Sequence, residues 1–176
     1  AVAEVLFGDY NPAGKLPVTF YRNVSQLPDF EDYNMTGRTY RYMQDVPLFP
    51  FGYGLSYTTF GYGKTVLDKN ELTAGQSLKL TVPVTNTGKR NGEEVVQVYL
   101  RKQGDAEGPI KTLRAFKRVS IPAGKTVNVE FDLKDKELEW WDDQSNTVRV
   151  CPGNYDIMVG GSSKEEDLQR TTIAIK

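Results

Sequence analysis

The sequence contains no histidine, and this absence removes several kinds of chemistry together. Without an imidazole the chain has no Ser-His-Asp or Cys-His catalysis and no histidine ligand for zinc or iron. Cys151 is the one cysteine, which excludes an internal disulfide and a cysteine-based metal cluster. Carboxylates, lysine, tyrosine and this single thiol are the remaining candidate catalytic groups.

The chain also lacks an excess of positive charge and any long apolar run. Its 22 Lys and Arg residues against 23 Asp and Glu residues give a net charge of -1. We therefore expect no nucleic-acid partner, because phosphate binding needs a basic surface. No stretch of about 18 consecutive apolar residues occurs, so we expect no membrane-spanning helix and no membrane partner. The 176 residues, 39% of them hydrophobic, are enough for one domain and part of another.

The first twenty residues predict a helix, a turn and a strand. Residues 1–7 are apolar apart from Glu4 and indicate the last two turns of a helix. Gly8 is the expected end of that helix, residues 11–14 are a predicted turn, and residues 16–20 are a predicted strand.

The composition of this helix indicates that it belongs to a larger unit. Ala1, which is not a methionine, opens an apolar helix of a kind that other elements normally cover. We expect residues 1–20 to be the remnant of a preceding α/β domain and the natural start to lie upstream. Without their cover, several apolar side chains are expected to be disordered, folded back or buried in a dimer: Val2, Val5, Leu6 and Phe7.

Residues 21–63 show neither a helical nor a strand period and are rich in Tyr, Phe, Pro and Gly. Six aromatic residues lie between Leu48 and Tyr62, whereas disordered linkers are poor in aromatics. We predict an ordered, aromatic-rich connector that lies across a protein surface. Its rings are interpreted as packing groups, with stacking on sugar rings as the alternative.

From residue 64 onward hydrophobic and polar residues alternate, which is the period of β-strands. Pro83 falls on the outward side of its run and indicates a sheet edge or a bulge. Residues 134–143 predict one short helical turn. Seven strands are predicted, at residues 78–84, 95–100, 113–121, 127–133, 147–150, 155–159 and 171–175. This spacing predicts an all-β fold, an immunoglobulin/fibronectin type III-like β-sandwich, preceded by the short α/β remnant.

Several segments together resemble glycoside hydrolase family 3. Residues 8–20 (GDYNPAGKLPVTF) resemble the end of its second, α/β sandwich domain. Residues 37–42 (GRTYRY) and 47–60 (PLFPFGYGLSYTTF) resemble its connector. The segments VTNTG, GEEVVQVY, LRAFKRV and GNYDIMVG, in this order, resemble its fibronectin type III-like domain. The resemblance covers nearly the whole chain.

The resemblance implies a β-glucosidase-like parent, bacterial and periplasmic or secreted, that hydrolyses β-glucosides or β-xylosides. That family uses a retaining mechanism with two carboxylates. Its nucleophilic aspartate lies in an N-terminal barrel, in a Ser-Asp-Trp or similar motif, and the barrel carries a Lys-His signature. This chain has no Ser-Asp dipeptide and no histidine. No catalytic, cofactor-binding or metal-binding residue is therefore carried over, and no cofactor is expected.

We expect an accessory region that is not catalytic alone. It comprises the α/β remnant (1–20), the connector (21–63) and the β-sandwich (64–176). Its expected partners are the catalytic domains of the parent, and oligosaccharide substrate meets it only through that parent. Two alternatives stay open: a carbohydrate-binding module, which predicts a flat row of exposed aromatics, and a fibronectin-type protein-interaction module unrelated to sugars.

Two local patterns admit both a functional and a structural interpretation. Trp140 and Trp141 lie among acidic residues and could stack on sugar, but we expect one ring to fill the sandwich and the other to be half exposed. Arg38 and Arg41 flank Tyr40 and could reach sugar hydroxyls or a carboxylate. We expect them instead to fix the connector by pairing with an acidic neighbour or with backbone carbonyls.

Three further features are interpreted as structural. Cys151 is expected to be a small buried hydrophobe. Residues 165–167, which are all acidic, predict a solvated loop, since the spacing of a calcium-binding loop is absent. Asn23 and Asn34 open Asn-x-Ser/Thr triplets, which are frequent by chance and matter only in a eukaryotic source.

Overall fold

Strands dominate the computed structural model, which describes residues 2–176. The helices are α1 (Val2–Phe7), α2 (Thr39–Tyr42) and α3 (Asp135–Leu138), and 3₁₀ turns lie at Val24–Gln26 and Glu165–Asp167. The strands are β1 (Phe60–Tyr62), β2 (Val66–Leu67), β3 (Glu71–Leu72), β4 (Leu78–Asn86), β5 (Gly92–Lys102), β6 (Thr112–Ile121), β7 (Thr126–Leu133), β8 (Trp140–Asp142), β9 (Thr147–Arg149), β10 (Gly153–Gly160) and β11 (Gln169–Ile175).

The strands form two sheets and a hairpin. In the first sheet β4 pairs with β7 on one side and with β1 and β2 on the other. The second sheet has the order β3-β11-β10-β5-β6, and β8 with β9 forms the hairpin. All pairs are antiparallel except β3 with β11. Buried side chains of both sheets form one core, as an all-β sandwich requires.

Alternation along each strand produces this core. In β4 the apolar side chains at 78, 80, 82 and 84 are buried, whereas those between them are exposed or half-buried. In β7 the side chains of Val129, Phe131 and Leu133 are buried and alternate with exposed ones. All seven predicted strands are present, as β4 to β7 and β9 to β11, so the predicted fold class is confirmed.

Four short strands were not predicted. The strands β1, β2, β3 and β8 have two or three residues each, which is too short for a period of two to be recognised. The predicted helical turn in residues 134–143 is confirmed as α3, but Trp140–Asp142 after it pairs with β9.

Two local predictions were wrong. Residues 16–20 do not form a regular strand: Leu16 exchanges hydrogen bonds with the backbone at Gly52 and Tyr53, and Phe20 bridges Phe49. Pro17, which has no N–H, lies between these two points and interrupts the ladder.

Pro83 lies neither at a sheet edge nor in a bulge. The register of β4 with β7 runs unbroken from residue 78 to residue 85. On the other side of β4, β1 pairs as far as Val84 and β2 pairs from Thr81, so Pro83 falls in the gap between them. A proline is tolerated there because no strand accepts its missing N–H.

The predicted N-terminal helix is confirmed over Val2–Phe7, while Ala1 lies outside the described residues. Gly8 ends the helix with a φ of 83° and donates its N–H to the carbonyl of Val5. The apolar side chains of the helix do not fold back onto the sandwich: those of Val2, Leu6 and Phe7 are exposed.

Membrane crossing by a helix would need a far longer element than any in the described part of the chain. The longest of its helices, α1, has six residues, and none of them is long and apolar enough to span a bilayer.

Candidate functional site

Three parts of the chain meet at one place: the segment after α1, the end of the connector, and the loop between β4 and β5. We call this place the junction. It comprises Asn11, Tyr57, Asn86 and Arg90. The Asn11 Oδ1 accepts hydrogen bonds from Ser56 Oγ (2.9 Å) and from the Tyr57 N–H (2.8 Å), and its Nδ2 donates to the Asn91 carbonyl (2.9 Å). One amide side chain therefore joins all three parts.

Two further side chains of the junction hold the carboxyl end of α1. Arg90 Nη1 donates to the carbonyl of Gly8 at 2.9 Å, and its guanidinium lies 5.5 Å from the centre of the Tyr57 ring. The Tyr57 hydroxyl donates to the carbonyl of Val5 at 2.5 Å. The last carbonyls of a helix lack internal partners, so donors from the sandwich loop and the connector fix the orientation of α1.

Asn86 sets the shape of the sandwich loop from inside the protein. Its buried side chain accepts hydrogen bonds from Thr58 Oγ1 (2.5 Å) and the Gly88 N–H (3.1 Å). Its Nδ2 donates to the carbonyls of Arg90 (2.7 Å) and Ile121 (2.9 Å). All its hydrogen-bonding capacity is used, so this residue ties the connector, the loop and β6 together.

Close backbone contacts add to these hydrogen bonds. A Cβ atom on Gly54 would lie 2.2 Å from the carbonyl oxygen of Gly14, and one on Gly88 would lie 2.2 Å from Thr58 Oγ1. Both distances are far below contact, so the segment after α1, the connector and the sandwich pack at a separation that only glycine permits.

A largely buried ion pair joins two of the same parts of the chain. Lys15 Nζ is 2.9 Å from Glu94 Oε1, and the two side chains are 19% and 7% exposed. Glu94 is on β5, so this pair also joins the segment after α1 to the sandwich. Burial, and then the charge of this carboxylate, raise the pKa of the nearby Tyr62 hydroxyl well above its ordinary value.

The middle of the connector is held by stacked rings. Tyr40 of α2 stacks on Phe51 with 4.3 Å between ring centres and meets the edge of Tyr99 on β5 at 5.8 Å. The Tyr40 hydroxyl accepts the N–H of Leu113 at 3.1 Å. The buried Gln97 side chain donates to the carbonyls of Gly52 (3.3 Å) and Gly161 (2.5 Å). Connector residues thus cover part of the outer face of the second sheet.

These contacts support the interpretation of the connector aromatics as packing groups. Of the six aromatic rings from Leu48 to Tyr62, those of Phe49 and Tyr57 are exposed and the other four are half-buried. Phe49 itself stacks on Tyr53 at 5.2 Å. These rings pack against neighbouring residues and do not form an open row.

The two adjacent tryptophans are placed as the sequence predicted. Trp140 is 3% exposed and packs against Tyr155, whereas Trp141 is 49% exposed. The acidic residues near them do not converge on one point. Asp142 accepts from Ser145 and from Arg149, which lower its pKa to about 2, and Asp143 accepts the indole N–H of Trp141.

The two connector arginines behave differently. Arg38 donates to the backbone carbonyls of Asp32 and Asn34, so its expected role in fixing the connector is confirmed. The same expectation was wrong for Arg41. Its guanidinium has no hydrogen bond or ion pair with any residue in 2–176 and lies 5.6 Å from the Tyr42 ring.

The remaining sequence features have structural settings. Cys151 is buried, as predicted for a small hydrophobe. The acidic residues 165–167 form an exposed 3₁₀ turn rather than a freely solvated loop, because Glu165 pairs with buried Lys111 at 2.6 Å and with Arg170. Asn23 caps the first 3₁₀ turn, and Asn34 bonds to Asp32.

The junction can position segments of the chain relative to one another. It consists of amide, hydroxyl and guanidinium groups engaged with backbone atoms. Within the described residues no three His, Cys, Asp or Glu side chains are grouped so that they could hold a metal ion. The absence of catalytic and cofactor-binding residues from this chain stays a prediction.

Sequence reasoning missed the junction. Asn11 and Asn86 were noted only as parts of a turn and a motif, and Arg90 was not singled out, because an asparagine in a turn is common and carries no sign of its distant partners. The available signal was the placement of Asn11 and Asn86 inside the quoted segments GDYNPAGKLPVTF and VTNTG.

Family models match two parts of the chain. Residues 1–57 match the glycosyl hydrolase family 3 C-terminal domain, and residues 94–163 match the fibronectin type III-like domain. Among curated proteins, the chain is 54% identical over 175 residues to a xylan 1,4-beta-xylosidase of Xylanibacter ruminicola. It is 38% identical to a periplasmic beta-glucosidase of Salmonella typhimurium.

These matches cover nearly all of this chain but only a small part of each relative. The alignments take in 99% and 93% of this chain but only 20% and 23% of those two proteins, so the chain spans about a fifth to a quarter of their length. A beta-glucosidase structure from Erythrobacter marinus is 40% identical with a TM-score of 0.83, over 99% of this chain and 23% of that one. A beta-glucosidase structure from Listeria innocua is 31% identical with a TM-score of 0.80.

Proposed function

The chain belongs to glycoside hydrolase family 3, whose C-terminal region it carries, and we propose that it is a structural accessory region of a β-glycosidase. In this proposal it stabilises the catalytic domains of a longer enzyme that hydrolyses β-glucosides or β-xylosides, and it has no activity alone. The names of the relatives, a xylan 1,4-beta-xylosidase and beta-glucosidases, support this substrate class.

The junction is the observation that carries the proposal. Donors from the sandwich loop and the connector bind the carbonyls of Val5 and Gly8 at the end of α1, and Asn11 in the turn after α1 donates to the Asn91 carbonyl of the sandwich loop. Residues 1–57 match the family's C-terminal domain, so the sandwich holds the end of that domain in a fixed orientation. We also propose the division into residues 1–20, 21–63 and 64–176 as remnant, connector and sandwich, although the match to the C-terminal domain continues to residue 57, inside the connector.

Exposed apolar side chains support contact with further protein. The α1 side chains of Leu6 and Phe7 are exposed, and in the connector Phe30 is 94% and Tyr33 is 90% exposed. Large apolar side chains exposed in this way commonly mark an interface. The relatives are four to five times longer than the part that matches, which supports their other domains as the partner.

A chromogenic assay tests the lack of activity. The purified chain is incubated with aryl β-glucoside and aryl β-xyloside, and we expect no turnover above buffer. Saturable turnover that persists after a second purification step would contradict the proposal, since the chain would then contain a catalytic site.

The carbohydrate-binding alternative is less well supported. It requires a flat row of exposed aromatics on the sandwich, but of Tyr99, Phe116, Phe131 and Tyr155 only Phe116 is exposed. An amide-shift NMR titration with cello- and xylo-oligosaccharides separates the two functions. We expect no shifts at millimolar sugar, whereas saturable shifts around Phe49 or Trp141 would favour the binding module.

A further inference from the structure

Part of the connector, which we call the 29–38 loop, is folded by its own hydrogen bonds. The Asp32 carboxylate accepts the backbone N–H of Asn34 at 2.9 Å and its side-chain amide at 2.8 Å. The Asp32 N–H donates to the carbonyl of Asp29 at 3.1 Å. Arg38 closes the loop, since its guanidinium donates to the carbonyls of Asp32 and Asn34. These local bonds give the loop a defined shape.

Two aromatic rings of the 29–38 loop lie in solvent. Phe30 and Tyr33 are exposed more fully than any other large apolar side chain in residues 2–176. Neither ring stacks on another ring or lies under a cation in that part of the chain. Aromatic rings are the usual anchors of protein interfaces, because each buries a large apolar area. Since the loop backbone is already fixed, docking of these rings requires little further ordering.

Carboxylates flank the two rings along the loop. Asp29, Glu31 and Asp32 form no ion pair with any residue that the structure describes. Arg38 is the one cation in the sequence of the loop, and it is directed at backbone carbonyls. The loop therefore presents apolar rings in a negative field. Its complement is an apolar pocket with Lys or Arg side chains at the rim.

Two other partners fit the 29–38 loop less well. Two copies of this chain related by a twofold axis would bring the same carboxylates together, and like charges across an interface are unfavourable. A sugar needs polar groups for its hydroxyls, but Asp32, Asn34 and Arg38 are engaged within the loop. A protein pocket needs only the rings and the charges. The two curated relatives offer ample further protein, since this chain covers 20% and 23% of their length.

We propose that Phe30 and Tyr33 are anchor residues that insert into an apolar pocket with a basic rim in the rest of a longer enzyme. This inference rests on the proposed function, and it names the loop and the kind of surface through which the accessory region binds the catalytic domains. The rings supply the buried apolar area, and the carboxylates orient the loop toward the cationic rim. The contact is separate from the junction, which holds α1 to the sandwich.

Hydroxyl-radical footprinting read by mass spectrometry tests this contact without any substitution. It compares the 176-residue chain with a chimera in which this chain replaces the matching part of the Xylanibacter ruminicola xylan 1,4-beta-xylosidase. We expect oxidation of Phe30 and Tyr33 to be at least about fivefold slower in the chimera, because anchor residues are fully desolvated in their pockets. Phe116, an exposed phenylalanine of β6, is the matched control and is expected to be oxidised equally in both proteins.

The α1 side chains of Leu6 and Phe7 separate this inference from the proposed function. If they are protected in the chimera while Phe30 and Tyr33 are not, the inference is overturned and the proposed function stands. If none of the four is protected, both are overturned. The isolated chain is also footprinted with a xylo-oligosaccharide, and protection of the two rings by this sugar would make the loop a sugar site and contradict the inference.

A double variant, Phe30→Ala with Tyr33→Ala, measures what the anchors contribute. In the isolated chain we expect an unchanged melting temperature, because both rings lie in solvent. In the chimera we expect xylosidase activity to be lost at a lower temperature, whereas Phe116→Ala is expected to change neither value. Equal thermal inactivation with and without the anchors overturns the inference. If the chimera does not fold, the footprinting is done on the chain mixed with a xylosidase that lacks its matching part, with the same outcomes.

Discussion

Lys15 Nζ lies 2.9 Å from Glu94 Oε1, and this largely buried pair connects the segment after α1 to strand β5 of the sandwich. Two charged groups that are removed from water stabilise the fold only if each keeps its partner. An unpaired buried charge strongly lowers the free energy of unfolding. The pair therefore fixes where the segment after α1 lies on the sandwich, in addition to any stability that it contributes.

A double-mutant cycle tests this pair. Lys15→Met leaves Glu94 buried without its cation and is expected to lower the free energy of unfolding by about 3 kcal/mol. Glu94→Gln in the same chain removes the unpaired charge, so the double variant is expected to recover about half of that loss or more. Urea unfolding of the four proteins measures both values. Additive losses would show that the two residues are not coupled.

The backbone of Gly54 lies close to the backbone of Gly14. Alanine at Gly54 tests this contact, and alanine at Gly14 is the control. Gly54→Ala places a Cβ 2.2 Å from the Gly14 carbonyl oxygen, so the connector must move, and we expect a loss of about 1 to 3 kcal/mol. Gly14→Ala points its Cβ where no atom lies within 4 Å, and it is expected to change stability by about 0.5 kcal/mol or less. Equal melting temperatures for the two variants would contradict the close packing.

Much of the sandwich could be predicted because each long strand carries its own signal. In β7 the alternation of Val129, Phe131 and Leu133 with polar residues is visible in the sequence without knowledge of its neighbours. The strands β1 and β3 carry no such signal, since they have two or three residues and exist only because β4 and β11 offer free edges. The strand predicted at residues 16–20 is absent for a different reason. The segment has a β-like pattern, but Pro17 interrupts the hydrogen-bond ladder.

The junction could not be predicted, since its contacts join residues far apart in the chain. Asn11 and Asn91 are 80 positions apart, and Arg90 and Gly8 are 82 apart. Local patterns predict which residues are buried on one element, but the partner of a polar side chain depends on how the elements are arranged. The different fates of Arg38 and Arg41, three residues apart in one motif, show the same limit.

Glu165 predicts a dependence of stability on acid pH. Burial raises the pKa of this carboxyl, but hydrogen bonding and ion pairing with Lys111 and Arg170 outweigh it, and the pKa lies below its ordinary value. A lowered folded-state pKa contributes stability above the unfolded-state pKa of about 4.3, and this contribution is lost as pH falls through the folded-state value.

Unfolding in urea between pH 7 and pH 3 measures this contribution. We expect Glu165→Gln to be less stable than the wild type at pH 7 and to lose less stability on acidification. Glu166→Gln, a more exposed neighbour with the same charge change, is the matched control. Identical pH profiles for the two variants would show that the Lys111 and Arg170 contacts do not stabilise the ionised Glu165.

Asn11 gives the most direct test of the junction. Asn11→Ala removes three hydrogen bonds, to Ser56, Tyr57 and Asn91, and each is worth about 1 kcal/mol net. Because water reaches these groups after the substitution, we expect a total loss of about 1 to 2 kcal/mol rather than the full sum. The Tyr57 N–H loses its acceptor, so its hydrogen exchange is expected to become faster.

Hydrogen exchange followed by mass spectrometry locates the effect of this variant. We expect faster exchange in residues 53–60 and 5–11, with no change in β10 and β11, because the junction orders the connector and the end of α1 but not the sandwich core. Asn128→Ala, at an exposed position of β7, is the matched control and is expected to leave both regions unchanged. Unaltered protection of the Tyr57 amide in Asn11→Ala would mean that the connector is held by its aromatic contacts alone, and the junction would then have no part in orienting the segment after α1.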